Sequence, residues 1–387
     1  MGSSVEWRDA VNVSRREFVG LAAAAGGLAA VGPAVAAPGG KLAVDFAVDG
    51  APHTPAEYAA LLSRLAAADG IGVDQYSRGG VVERLEARFA SLLGKEAAVF
   101  MPSGTLANHL AVRTLCGPKR RAIVQEISHL YNDSGDCAEQ LSQLTLMPLV
   151  PGKATFTWDD VARVLERSAG ARVVLPVGAI SIESPVRRLH GQTFDFGEMQ
   201  RISSEARKQG IGLHLDGARL FVACAYSGRG PAEYAALFDT VYVSLWKCFS
   251  AAGGAVLAGP KALLADLYHV RRMFGGALWG AWPYAAVALH YCDGYLDRLG
   301  AAVRVSEELL RVLSSDASFS VERVPGGTSF FRLTPKTPDL PAYRERLKAR
   351  GITVPPPEAG GFWLRTNETL RGSSAAAIAE GFRSALS

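Results

Sequence analysis

Three short segments of the 387-residue chain set reactive side chains at the ends of apolar runs. Phe100-Met101-Pro102-Ser103-Gly104-Thr105, with Asn108 one turn on, reads as a strand that ends in Ser-Gly-Thr and opens a helix. The first N–H groups of such a helix are unpaired and carry the positive end of its dipole, and a glycine between two hydroxyls lets an anion approach. The same residues also make an ordinary N-cap. Leu213-His214-Leu215-Asp216-Gly217-Ala218-Arg219 alternates apolar residues up to a carboxylate, so Asp216 emerges from a buried strand. A buried carboxylate is costly unless a cation meets it. A protonated pyridinium nitrogen is one such cation, and Arg219 is another. Val241-Tyr242-Val243-Ser244-Leu245-Trp246 is an apolar strand running into Lys247. Desolvation at that point lowers the lysine's pKa and frees an amine that attacks aldehydes. A lysine that snorkels off the strand end is the competing structural reading.

Pyridoxal 5′-phosphate needs a phosphate cradle, a carboxylate at its ring nitrogen and a Schiff-base lysine. Residues 103–105, 216 and 247 offer these in order, each at the carboxyl end of an expected strand. Neither G-x-x-x-x-G-K-[ST] nor G-x-G-x-x-G occurs, which disfavours nucleoside triphosphates and dinucleotides.

The elements that must hold these groups alternate. Helical spacing covers residues 54–69, 80–93, 105–115, 158–167 and 196–209. Strand patterns cover 97–101, 122–126, 172–177, 211–215, 240–245 and 255–258. That alternation predicts an α/β fold, a mainly parallel sheet flanked by helices, whose ligands sit at the carboxyl ends of the strands. After about residue 290 the texture changes to a long helix (294–313) and strands at 319–324, 329–333 and 361–366. We therefore expect a large domain over 42–290 and a small C-terminal α+β domain over 291–387.

Composition bounds the partners. Forty-one basic residues against 37 acidic, with 49% hydrophobic residues, describe a globular chain and give no case for nucleic acid. Arg15-Arg16, a mild Ala/Gly-rich apolar stretch and Ala34-Val35-Ala36 resemble a twin-arginine export signal over 1–36, cleaved after Ala36. The twin-arginine machinery is then a transient partner, and the mature chain a periplasmic or extracellular protein with no stable membrane insertion. Five scattered cysteines (Cys116, Cys137, Cys224, Cys248, Cys292) suggest neither a metal site nor a disulfide framework.

Ser103-Gly104-Thr105-Leu106-Ala107-Asn108, the 214–219 segment and the surroundings of Lys247 resemble the low-specificity threonine aldolases. These belong to the aromatic amino-acid β-eliminating lyase group of fold-type-I pyridoxal-phosphate enzymes. The resemblance runs through 42–290 and more loosely beyond. It implies that Lys247 bonds the cofactor, Asp216 faces the pyridinium, Arg219 meets the cofactor's phenolic oxygen and His129 stacks on its ring. It further implies a homodimer or homotetramer acting on an amino-acid substrate, a β-hydroxy-α-amino acid cleaved to glycine and an aldehyde. Four positions depart from the pattern. Val48 stands where a carboxylate-binding serine is expected and Val186 where a second histidine is expected. Trp279 replaces a loop arginine, and Arg365, the candidate for the substrate carboxylate, falls two positions off. β-Elimination or racemisation on the same cofactor, or an exported binding protein with a degenerate site, are the alternatives.

Overall fold

Short apolar runs, most of them aliphatic, pair into a seven-stranded sheet that organises the molecule. The computed structural model describes residues 42–387, Pro52 and Asp69 excepted; the expected export signal lies outside the described residues. After β1 (Val44–Asp45), the sheet strands are β2 (Ala97–Met101), β3 (Arg121–Gln125), β4 (Thr145–Leu149), β5 (Ala179–Glu183), β6 (Gly212–Asp216), β7 (Thr240–Ser244) and β8 (Ala255–Gly259). Their order is β2-β8-β7-β6-β5-β3-β4, with β8 antiparallel to both neighbours and the other pairs parallel. Helices cover both faces, so the strand residues are buried on both sides, as in β7 and β8 throughout. The α/β class with a mainly parallel sheet holds.

One expected strand is overturned. Residues 172–177 form no strand; Val173, Val174 and Leu175 are exposed, and the neighbouring strand is Ala179–Glu183. Sheet register explains the displacement. Ala179 and Ile180 are the residues paired with Ala122 and Ile123 on β3 and with Gly212 and Leu213 on β6, so the apolar run before them is left without a ladder. Strand β4, which carries Pro148, is an edge strand, the place a sheet tolerates proline.

Because β3, β5, β6 and β7 run parallel, their carboxyl ends share one edge, and register sets Glu183 directly beside Asp216. After the long helix Tyr295–Ser314, strands β9 (Phe319–Arg323), β10 (Phe330–Pro335) and β12 (Phe362–Arg365) make a small antiparallel sheet. Strand β11 (Ile352–Thr353) pairs instead with β1. The chain leaving β1 is then strapped down: the Arg365 backbone N–H and Nη1 donate to Phe46 O and Ala47 O, and Asn367 Nδ2 donates to Asp45 O and Val48 O. Segment 45–50 thereby connects the small sheet to the edge of the large one. No described helix is long and apolar enough to cross a membrane.

Candidate active site

The carboxyl edge of the sheet closes a narrow cavity lined by His129, Glu183, Arg187, Asp216, Arg219, Tyr242 and Lys247, among others. Four of the expected residues, Lys247, Asp216, Arg219 and His129, meet there.

Asp216 is the last residue of β6 and is buried. It does not pair with Arg219. Arg219 donates instead from Nε (3.1 Å) and Nη2 (2.7 Å) to both oxygens of Asp49, in a buried bidentate pair. Burial opposes both charges, yet the pairing wins: Asp49 is held below the usual carboxylate range and Arg219 above its ordinary value. Asp216 is left with neutral donors only, the Ala218 N–H at 3.2 Å and Asn108 Nδ2 at 2.6 Å.

Behind Asp216 runs a buried polar relay. Asn108 must turn its Nδ2 toward the acceptor-only carboxylate, so its Oδ1 faces His214 Nε2 at 2.9 Å, and that nitrogen must donate. His214 Nδ1 then accepts from the Thr240 hydroxyl at 2.9 Å. Burial pushes His214 down to about 4, so the ring is neutral and held in its Nε2–H form. Thr240, His214 and Asn108 together fix a donor on Asp216. A buried carboxyl group that meets only neutral donors suits a protonated ring nitrogen as its missing partner.

Lys247 lies in a single helical turn, Leu245–Cys248, that follows β7 directly. The side chain is buried, and its pKa is lowered by desolvation and by the Arg219 charge. Gly50 passes tightly over it: a Cβ at position 50 would lie 3.0 Å from the Lys247 carbonyl oxygen. The strap of 45–50 therefore presses on the lysine turn, and Asp49 reaches Arg219 from that strap.

His129 opens the short helix His129–Asn132; its N–H donates to Glu183 Oε2 at 2.6 Å, and burial lowers its ring pKa. Glu183 also accepts from the Arg187 N–H at 2.8 Å; burial and the adjacent Asp216 push its pKa up.

Ser103, Gly104 and Thr105 start the helix Gly104–Cys116. Ser103 Oγ accepts from the Leu106 N–H at 3.2 Å, as an N-cap does, which leaves its own O–H to donate elsewhere. Gly104 has an unexpected neighbour: a Cβ there would come within 2.0 Å of the Tyr242 hydroxyl. The glycine admits the Tyr242 phenol, and through Tyr242 this helix start adjoins the cavity of Asp216 and Lys247. Neutral hydroxyl and N–H donors, a free carboxylate and a desolvated amine together fit pyridoxal phosphate.

Arg365, at the end of β12, is half-buried over the Phe330 ring, its Nε without a hydrogen-bond partner. It does not line the narrow cavity; it stands behind the strap, near Asp49. Val186 is fully buried, bridges to Gln192 and does not line the cavity. His190, two positions past the Arg187-Arg188 pair, stacks on Trp363 at 3.7 Å, while Arg187 and Arg188 both pair with Asp133. Trp279 is exposed and meets Tyr76 edge-on at 5.0 Å. Asp49, Glu183 and Tyr242 escaped the sequence reading as site residues. Two of them were hinted at by position alone, Asp49 within the aldolase-like segment 45–50 and Glu183 at the head of the aldolase-like segment 183–186.

Residues 54–333 match the sequence profile of the beta-eliminating lyase family. The chain is similar to a low-specificity L-threonine aldolase of Candida albicans, 31% identical over 231 residues that cover 59% of this chain and 61% of that one. It is also similar to an alanine racemase of Cochliobolus carbonum, 28% identical over 214 residues (54% and 53%). The chain spans between about half and six-tenths of the length of these curated relatives. Among solved structures, a Listeria monocytogenes protein assigned as an L-allo-threonine aldolase superposes with a TM-score of 0.73 at 27% identity, covering 89% of this chain and 96% of that one.

Proposed function

The chain belongs to the beta-eliminating lyase family, and on that premise we propose a pyridoxal-phosphate lyase that cleaves threonine-like β-hydroxy-α-amino acids to glycine and an aldehyde. The observation that carries this reading is the presence, in one cavity, of a buried Lys247 amine and an Asp216 carboxylate that Arg219 does not engage.

When bound, pyridoxal phosphate supplies an aldehyde for the substrate amine and a conjugated ring that accepts the electron pair left at Cα. The residues do the rest. Ser103, Thr105 and the helix N–H groups would bind the phosphate, where donors and dipole favour an anion. Asp216, oriented by Asn108 and His214, would keep a proton on the ring nitrogen. Arg219, locked by Asp49, would meet the phenolic oxygen, its Nη1 having no protein hydrogen bond among the described residues. Arg365, which stands behind the strap with Nη1 on Ala47 O, is the arginine we assign to the substrate carboxylate, which it would meet on displacement of that strap. Lys247 and His129 are both shifted toward their neutral forms, so either accepts the β-hydroxyl proton as the Cα–Cβ bond breaks, and Cα takes up a proton in return. His129, on the wall of the same cavity, would cover the ring face.

Elimination or racemisation is the second reading, favoured by Val186 at the position of the expected histidine and by the racemase relative. Product analysis separates them. Glycine plus an aldehyde supports cleavage; a keto acid with ammonia, or an inverted amino acid, removes it. A purified chain that gains no cofactor absorbance with pyridoxal phosphate would leave only a binding protein.

We further propose that residues 1–36 direct twin-arginine export with cleavage after Ala36, which suits a protein that must fold around its cofactor before crossing. Retention of a reporter fused to 1–36 in the cytoplasm would refute it. The division near residue 290 and assembly as a homodimer or homotetramer belong to the same proposal, the latter tested by light scattering.

A further inference from the structure

The turn that follows β5 brings a second arginine to the narrow cavity. The Val186 N–H donates to Gln192 O at 2.8 Å and the Gly191 N–H returns to Val186 O at 2.9 Å. That turn buries Val186 and sets the next residue, Arg187, on the cavity wall. Glu183 fixes it there. Glu183 Oε1 accepts from the Arg187 N–H at 2.8 Å and Oε2 from the His129 N–H at 2.6 Å, so one buried carboxyl group holds both main chains. The guanidinium is redundantly paired. Arg187 Nη2 meets Asp133, yet Arg188 donates to both oxygens of the same carboxylate, from Nη2 at 2.8 Å and from Nε at 3.3 Å. Two cations on one carboxylate leave one in surplus. The cavity's other strong bases are committed: Arg219 is locked to both oxygens of Asp49, and desolvation shifts Lys247 toward its neutral form. Arg187, with 43% of its side chain exposed, is the cation with room to turn inward.

We propose that Arg187 is a further catalytic residue, which leaves Asp133 to Arg188 and donates to the β-oxygen of the substrate. The inference rests on the lyase reading above. In that reaction the β-hydroxyl proton passes to Lys247 or His129, and the O–H electron pair becomes the second C–O bond of the aldehyde. The Cα–Cβ pair stays on Cα, which is then protonated. Negative charge builds on the oxygen as its proton leaves, and a guanidinium aimed at it in an enclosed cavity lowers that barrier. Position favours the β-oxygen over the carboxylate. Arg187 shares the Glu183 carboxyl group with His129, one of the two proton acceptors, whereas Arg365 stands on the side of the strap. It supplies a charged side chain one position past Val186, which stands where a histidine is expected.

Aldehyde release from threonine by the holoenzyme gives kcat, and titration with alanine, which has no β-oxygen, is read from cofactor absorbance. Arg187→Gln should lower kcat about 100- to 1000-fold, the loss seen when one donor to a developing oxyanion is removed. Its affinity for alanine and its cofactor content should stay at wild-type values. Arg188→Gln makes Arg187 the remaining arginine on Asp133 and should hold it there, slowing cleavage by up to about fivefold, the worth of a part-exposed ion pair. Adding Asp133→Asn releases Arg187 again and should restore the rate. A kcat for Arg187→Gln within about twofold of wild type overturns the inference and leaves the lyase reading standing. Alanine affinity that falls as far as kcat/KM would make Arg187 a carboxylate anchor and overturn it too. So would an Arg188→Gln/Asp133→Asn chain slower than Arg188→Gln, the behaviour of a merely structural ion pair. Wild-type holoenzyme that releases no aldehyde from any β-hydroxy amino acid removes the lyase reading and this inference with it.

Discussion

Replacing Asn108 with leucine isolates what the buried relay does for Asp216. The substitution keeps the apolar bulk and removes two interactions at once: the 2.6 Å bond to Asp216 and the 2.9 Å acceptor of His214. Both lie in the core, with Asn108 1% and Asp216 4% exposed, so water cannot replace either partner. A hydrogen bond to a charged group contributes about 1.5–3 kcal/mol, which translates into cofactor binding weaker by roughly 10- to 150-fold. The orphaned His214 N–H costs about 1–3 kcal/mol of stability, a melting shift of about 1.5–4 °C for a chain of this size. Titration of the apo chain with pyridoxal phosphate measures the first effect and thermal unfolding of the apo chain the second. If Asn108 acts through Asp216, its effect on cofactor affinity should largely vanish in an Asp216→Asn background, with a coupling of about 1 kcal/mol or more. A dissociation constant within twofold of wild type, or full additivity of the two substitutions, would refute the relay.

Gly104→Ala should destabilise the chain by about 1–3 kcal/mol, because its Cβ would sit on the Tyr242 hydroxyl; pairing it with Tyr242→Phe should recover part of that loss in a urea melt. His214, held near 4 in the fold against an ordinary 6.5, lets the unfolded chain bind a proton that the native chain refuses, so stability falls as pH drops between those values. That contribution is about 2 kcal/mol from pH 7 to pH 5, and the stability gap between wild type and His214→Gln should shrink by this amount over the same range. Arg365→Ala should raise KM for amino-acid substrates about 10- to 100-fold with a smaller change in kcat, whereas an unchanged KM would send the substrate carboxylate elsewhere.

The strands that end in chemistry were readable because apolar residues lead up to a charged one at the strand's carboxyl end, alternating before Asp216 and nearly continuous before Lys247. A run of the same appearance at 172–177 misled, since apolar character states that a segment is able to pair, not that a ladder is waiting for it. Helix Trp282–Cys292 carries apolar residues around most of its circumference and so lacked the one-sided period that marks a helix. In the site, local pattern reaches Ser103 as a cap and Asp216 as a buried acid. It does not reach the Asp49–Arg219 pair, whose members lie 170 positions apart, nor the relay through Thr240 and Asn108, which exists only because β6 lies beside β7 and against the helix Gly104–Cys116. Sequence spacing left Arg219 free to close on Asp216; the strap of 45–50 decides otherwise.

Everything chemical here depends on one amine. Reduction of the cofactor-loaded chain with borohydride, followed by peptide mass mapping, reads it directly. The expected result is a single pyridoxyl-phosphate adduct on Lys247, absent from a folded Lys247→Ala chain. An adduct on another lysine, or one that persists in Lys247→Ala, would contradict the assignment.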